Sequence, residues 1–231
     1  MTNMELAIAL ITSPSAAFAD LKEKPKFWFP LLAVLISTVA VLIWYYSFVD
    51  FDWLVDRMMS ADTRTQQMPE EQRNQAMAMM KPGFLMWSSV ISVIIFVTAA
   101  RALEALYFSL SGNITNVRHS YKQWFALSCW TSLPHIIGTL GMVAFLLTSS
   151  TNQVSNEELQ LLSLNELIFH VPLGGKGYVL LSSLTIIHPW VWWLTVVGVR
   201  VWTQRSWLFS TVFGLLPSIV VYGVWALIAF S

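Results

Sequence analysis

Charge is what this chain of 231 residues has least of: 11% of its residues are Asp, Glu, Lys or Arg, against roughly a quarter in an ordinary soluble domain. Acidic and basic residues number 13 each, so the formal net charge is zero and the basic excess that marks nucleic-acid binding is missing. A single cysteine, Cys129, excludes an intrachain disulfide and a multi-cysteine metal centre; in its apolar surroundings it reads as a small buried hydrophobe. No Lys or Arg precedes Lys22, and the first apolar run is too long for a signal-peptide core, so the N-terminal region does not read as a cleavable signal. Internal repeats and low-complexity linkers are also missing, and residues 1–231 read as one membrane domain. Gly174-Gly175-Lys176-Gly177 lacks the spacing and the preceding strand of a phosphate loop. Hydrolase, metalloprotease and two-aspartate protease patterns are absent, so neither an enzyme nor a bound cofactor is expected.

What the chain has in abundance is apolar surface. Hydrophobic residues make up 56% of it and aromatic residues 14%, with 12 tryptophans. A soluble domain of this size has too little interior to hide so much, and lipid supplies what is missing. Uncharged runs predict transmembrane helices at 27–49, 83–110, 124–147, 177–199 and 206–230, the second interrupted only by Arg101 and Glu104. Each can reach the roughly 20 residues needed to cross the hydrocarbon as a helix and is too long for a barrel strand. Lipid offers the backbone no hydrogen-bond partners, so helices are required. The expected fold is therefore all-α, a polytopic bundle of five transmembrane helices. Short amphipathic helices are expected at the N-terminus, within 1–26, and in the extracytoplasmic loops. Ser13-Pro14 reads as the start of a helix carrying Phe18 and Leu21 along the cytoplasmic interface and ending before Pro25. Pro69-Glu70-Glu71 reads as another helix start, with Met77 and Met80 on its apolar edge. Ser155 and Glu158 have capping-box spacing ahead of a short helix.

Orientation follows from the basic residues. Lys22, Lys24 and Lys26 precede the first run, and Arg118, Lys122, Arg200 and Arg205 fall on the same side. The other side receives the 50–81 loop, with four basic and six acidic residues, and the loop holding Glu157, Glu158, Glu166 and Lys176. The N-terminus is expected in the cytoplasm and the C-terminus outside it.

Candidate chemistry sits inside the runs. Arg101 and Glu104 are three apart on one helix face, where intramembrane charges must be paired or hydrated. They read either as a structural ion pair or as a site for a ligand, ion or partner. Pro134, Pro189 and Pro217 each remove a helical hydrogen bond and are expected to kink their helices. His135 and His188 adjoin two of these prolines and, counted from opposite faces, both fall near the membrane midplane. Three readings stand: neutral imidazoles satisfying carbonyls freed by the kinks, a transport or proton-sensing site, and a metal pair. Two histidines without a nearby carboxylate or thiolate make a poor metal site, and no metal is expected. Trp190, Trp192 and Trp193 surround Pro189 as packing or as a lipid groove.

The element Ser13-Pro14-Ser15-Ala16-Ala17-Phe18, then Pro25 and Phe29-Pro30, resembles the opening of the bacterial branch of the Yip1-domain family. Gly112, Tyr121-Lys122-Gln123 and Leu133-Pro134 are similar to that family's signature between its second and third spans. Trp193, Gly198 and Phe213-Gly214-Leu215-Leu216-Pro217 fit its last pair of spans. The resemblance covers essentially the whole chain. It implies five spans, a cytoplasmic N-terminus and, for a bacterial member, the cell inner membrane. Eukaryotic members carry a longer soluble N-terminal region and bind one another and Rab-type GTPases. The family offers no catalytic residues to carry over. The expected function is that of a non-enzymatic scaffold, assembly or membrane-organising protein. Membrane lipids and either a homo-oligomer or other membrane proteins are its expected partners. The alternative is a small oligomeric transporter or channel with a midplane site at the kinked helices.

Overall fold

A computed structural model describes residues 1–61 and 68–231. Asp62 and Arg64, counted among the charges of the 50–81 loop, lie outside the described residues. The chain is helical: α1 (Asn3–Thr12), α2 (Pro14–Glu23), α3 (Trp28–Phe48), α4 (Phe51–Ala61), α5 (Glu70–Met79), α6 (Pro82–Ile114), α7 (Tyr121–Thr131), α8 (His135–Thr148), α9 (Tyr178–Ser183), α10 (His188–Thr203) and α11 (Trp207–Phe230). Among the described residues four stretches are long and apolar enough to cross a membrane: α3, α6, α7 with α8, and α11. Their bounds lie within a few residues of the predicted runs.

The fifth expected span, 177–199, is not one helix. It divides into α9 and α10 at residues 184–187. Two causes coincide. Pro189 lies in the first turn of α10, where a missing N–H costs nothing and the fixed φ favours initiation, so it starts a helix instead of kinking one. The extended residues before it find strand-like partners: Leu164 N–H donates to the Leu184 carbonyl at 2.7 Å and Ile186 N–H to the Leu162 carbonyl at 3.0 Å. Residues 124–147 are interrupted as well, by a turn at 132–134 holding Pro134. Of the three prolines expected to kink helices, Pro217 alone lies in a helix interior.

The residues form two compact units. One comprises Met1–Ile36, Ile95–Ile136 and Ile187–Trp225. Its core gathers α1, α2, α7 and α10 around Phe18, Trp124, Leu127, Trp130, Leu194 and Trp202, all essentially inaccessible. The sequence places α2 here by presenting Ala17, Phe18 and Leu21 on one face. That face is buried in protein. Tryptophan N–H groups tie the N-terminal region down: Trp202 Nε1 donates to the Phe18 carbonyl at 2.7 Å and Trp130 Nε1 to the Lys26 carbonyl at 2.6 Å. The Trp202 carbonyl near the end of α10 accepts from Lys22 Nζ and from His119 Nε2, each at 3.1 Å. Burial first, and the neighbouring Lys22 charge after it, hold His119 below the usual histidine range, against the opposing effect of its bond to Trp202.

The other unit comprises Ser37–Ile94, Ile137–Ile186 and Ala226–Ser231. Tyr45 is fully buried and donates to the Val154 carbonyl at 3.0 Å. Asp50 N–H donates to the Asn152 carbonyl at 2.8 Å. The expected capping contact forms, with Ser155 N–H donating to Glu158 at 2.7 Å, yet no helix follows. Residues 156–159 close as a turn, and the chain is then drawn into pairing with 184–186. A single π-helical turn, Asn165–Phe169, comes instead and ends at His170 in the left-handed region. The helix expected after Pro69 is present as α5, with Met77 and Met80 half-buried.

Candidate functional site

All four polar candidates lie in the first unit. Arg101 and Glu104 lie one turn apart on α6, and Arg101 Nη1 donates to Glu104 Oε2 at 2.9 Å. The same oxygen accepts from Ser128 Oγ on α7. The pair is therefore neutral overall and fastened to a second helix by a buried hydroxyl. Low dielectric makes such an ion pair expensive to break, because the partner left behind is an uncompensated charge. Ser128 was not legible as a participant, since a serine in an apolar run is ordinary. Its signal was being one of the few hydroxyls on α7.

His135 and His188 meet. Each is the first residue of a helix, α8 and α10, and their ring centroids are 5.3 Å apart at 59°. His188 Nε2 and the Tyr222 hydroxyl share a hydrogen bond of 2.9 Å, with the rings at 90°. Trp192, one turn along α10, packs edge-on to His188 at 5.8 Å and to Tyr222 at 6.1 Å. Among the described residues no group of three His, Cys, Asp or Glu side chains is gathered to hold a metal ion.

The three prolines are accommodated differently. At Pro134 the carbonyls of Ser128, Cys129 and Trp130 accept from Thr131 Oγ1 at 3.1 Å, Ser132 Oγ at 2.8 Å and Leu133 N–H at 3.2 Å. Pro189 initiates α10. Pro217 leaves the Phe213 carbonyl without its helical donor, and Tyr107 Oη on α6 donates to it at 3.1 Å. Sequence reasoning offered histidines for this task. A hydroxyl from another helix performs it at Pro217, and hydroxyls from the same helix help at Pro134.

Several long apolar helices whose interior polar groups pair with one another define a multi-pass membrane protein. Residues 8–228 match the Yip1 domain, and the chain belongs to that family, whose members are generally non-enzymatic membrane proteins. It is similar to the membrane protein YknW of Bacillus subtilis strain 168, with 28% identity over 224 residues covering 96% of this chain and 86% of that protein. No solved structure matches it.

Proposed function

We propose that the chain is a non-enzymatic scaffold or membrane-organising protein of a bacterial inner membrane, acting through helix, lipid and protein contacts. In this reading 178–203 completes a fifth crossing, with the N-terminus cytoplasmic and the C-terminus outside. The observation that carries it is the internal pairing of the polar groups. Arg101, Glu104 and Ser128 satisfy one another, and Tyr222 engages His188. The outward faces of α6 and α11 are left apolar, with Ile91, Ile95, Phe96, Leu208 and Leu227 exposed. Such faces meet only lipid or other apolar helices. A photo-crosslinker at Phe96 or Leu227 is expected to capture a second copy or one recurring integral membrane protein in native membranes. Adducts to lipid alone would remove the protein-contact role.

One observation favours a second reading, transport. Two helix breaks bring His135 and His188 into contact beside Tyr222, and broken helices with midplane polar groups are a common way to build a substrate site. Flux in proteoliposomes, if present and lost on His135→Ala or His188→Ala, would replace the scaffold reading.

A further inference from the structure

Two of the candidate spans begin side by side at one cleft. It has a volume of about 740 Å³ and is lined by residues just before and at the start of α3 and α7. Each start contributes a lysine and aromatic rings: Lys26, Phe27 and Trp28 from one, Tyr121, Lys122 and Phe125 from the other. Trp28 and Tyr121 are 63% and 44% exposed, so their rings face outward where each span enters the membrane. The walls are built, not incidental. Phe27 packs edge-on to Phe125 at 5.1 Å, Tyr121 stacks on Phe125 at 6.1 Å, and Trp130 holds the Lys26 carbonyl. Lys26 Nζ donates to the Met1 carbonyl at 2.9 Å, a neutral acceptor that leaves its charge uncompensated. Among the described residues no carboxylate lies within salt-bridge distance of Lys26 or Lys122.

We infer that this cleft is a binding site for the phosphate headgroup of an anionic phospholipid. Aromatic rings and basic side chains at a span's end sit at headgroup depth, where anionic lipids present their phosphates. Two lysine charges in one cleft supply the electrostatic preference, and the exposed rings lie along the glycerol and upper acyl region. A zwitterionic headgroup, whose ammonium meets the same two lysines, is disfavoured. The site needs only the chain's membrane location, so it and the scaffold role can fail independently.

The test counts lipids retained by the purified full-length protein in native mass spectrometry. Titrants are phosphatidylglycerol, phosphatidylcholine of the same acyl chains, and inorganic phosphate. Phosphatidylglycerol is expected to bind in preference. At roughly fivefold per lysine, Lys26→Gln with Lys122→Gln should weaken it on the order of 25-fold. Lys24→Gln, an exposed lysine outside the cleft, should leave it unchanged. Equal retention of the two lipids, wild-type affinity in the double variant, or displacement by inorganic phosphate at comparable concentration would each overturn the site. Should the double variant not fold, a headgroup-diazirine phosphatidylglycerol on the wild-type chain decides. Adducts within 25–29 and 121–125 support the site, and adducts confined elsewhere overturn it.

Discussion

Single hydrogen bonds carry unusual weight where no water competes. Pro217 removes one N–H from α11, and the Phe213 carbonyl it orphans accepts from Tyr107 Oη at 3.1 Å. Tyr107→Phe deletes that donor and keeps the ring, which packs 5.8 Å from Phe213. The expected loss of stability is about 1 kcal/mol, at the upper part of what interhelical bonds contribute in membranes. The mechanism is separable from simple packing by a double-mutant cycle. In a Pro217→Ala background residue 217 has an N–H for the same carbonyl, so Tyr107→Phe should become nearly neutral. SDS-titrated unfolding in mixed micelles measures both values. An equal cost in the two backgrounds would show that Tyr107 does not act through the proline. The proline and the tyrosine are each visible in the sequence. Their meeting is not, because helix rotation and the pairing of distant helices are tertiary facts.

At the level of whole elements, α3 and α11 begin and end within a residue of the uncharged runs, because lipid imposes a length and forbids charge, whereas α6 continues past the expected 110 to Ile114. The two interruptions were not legible in the sequence. A proline in an apolar run reads equally as a kink inside a helix or as the first turn of a new one. Only the pairing of 184–186 with 162–164 settles that Pro189 is the latter. Likewise Arg101 and Glu104 announced their pairing by spacing, while Ser128 and the His135–His188 contact depended on which helices pack together. Gly198 shows what that packing demands. A Cβ on it would stand 3.0 Å from Leu127 Cδ1 and 3.2 Å from Phe18 Cε1, where α10 presses against α7 and α2. Both neighbours are fully buried and have nowhere to retreat. Gly198→Ala therefore sets an overpacking cost of roughly 1–3 kcal/mol against a helix-propensity gain of about 1 kcal/mol. Net destabilisation is expected, growing with Gly198→Val. Leu127→Val in the Gly198→Ala background should recover part of the loss, as read by thermal unfolding in detergent. A Gly198→Ala chain more stable than wild type would mean that these helices yield more than their burial implies.

For the molecule as a whole, topology reduces to parity. Among the described residues four stretches, α3, α6, α7 with α8, and α11, are long and apolar enough to cross, and an even number of crossings returns the C-terminus to the side of the N-terminus. If the broken pair of α9 and α10 also crosses, the termini lie on opposite sides. Residues 178–203 favour crossing. The 16-residue α10 alone rises about 24 Å, most of the roughly 30 Å of hydrocarbon. The exposed backbone of the break, which lipid would penalise, is paired with 162–164. The basic residues agree, since Lys22, Lys24, Lys26, Arg118, Lys122, Arg200 and Arg205 share one side only when five crossings are made. The single native thiol, Cys129, is buried, which makes labelling direct. In a Cys129→Ser background, Thr2→Cys and Ser231→Cys chains in intact spheroplasts are treated with a membrane-impermeant maleimide. Position 231 is expected to react and position 2 to react only after lysis. Labelling of both, or of neither, before lysis would place the termini together and leave 178–203 as a re-entrant segment in a four-span protein. His188 would then stand where a chain dips into the membrane and returns.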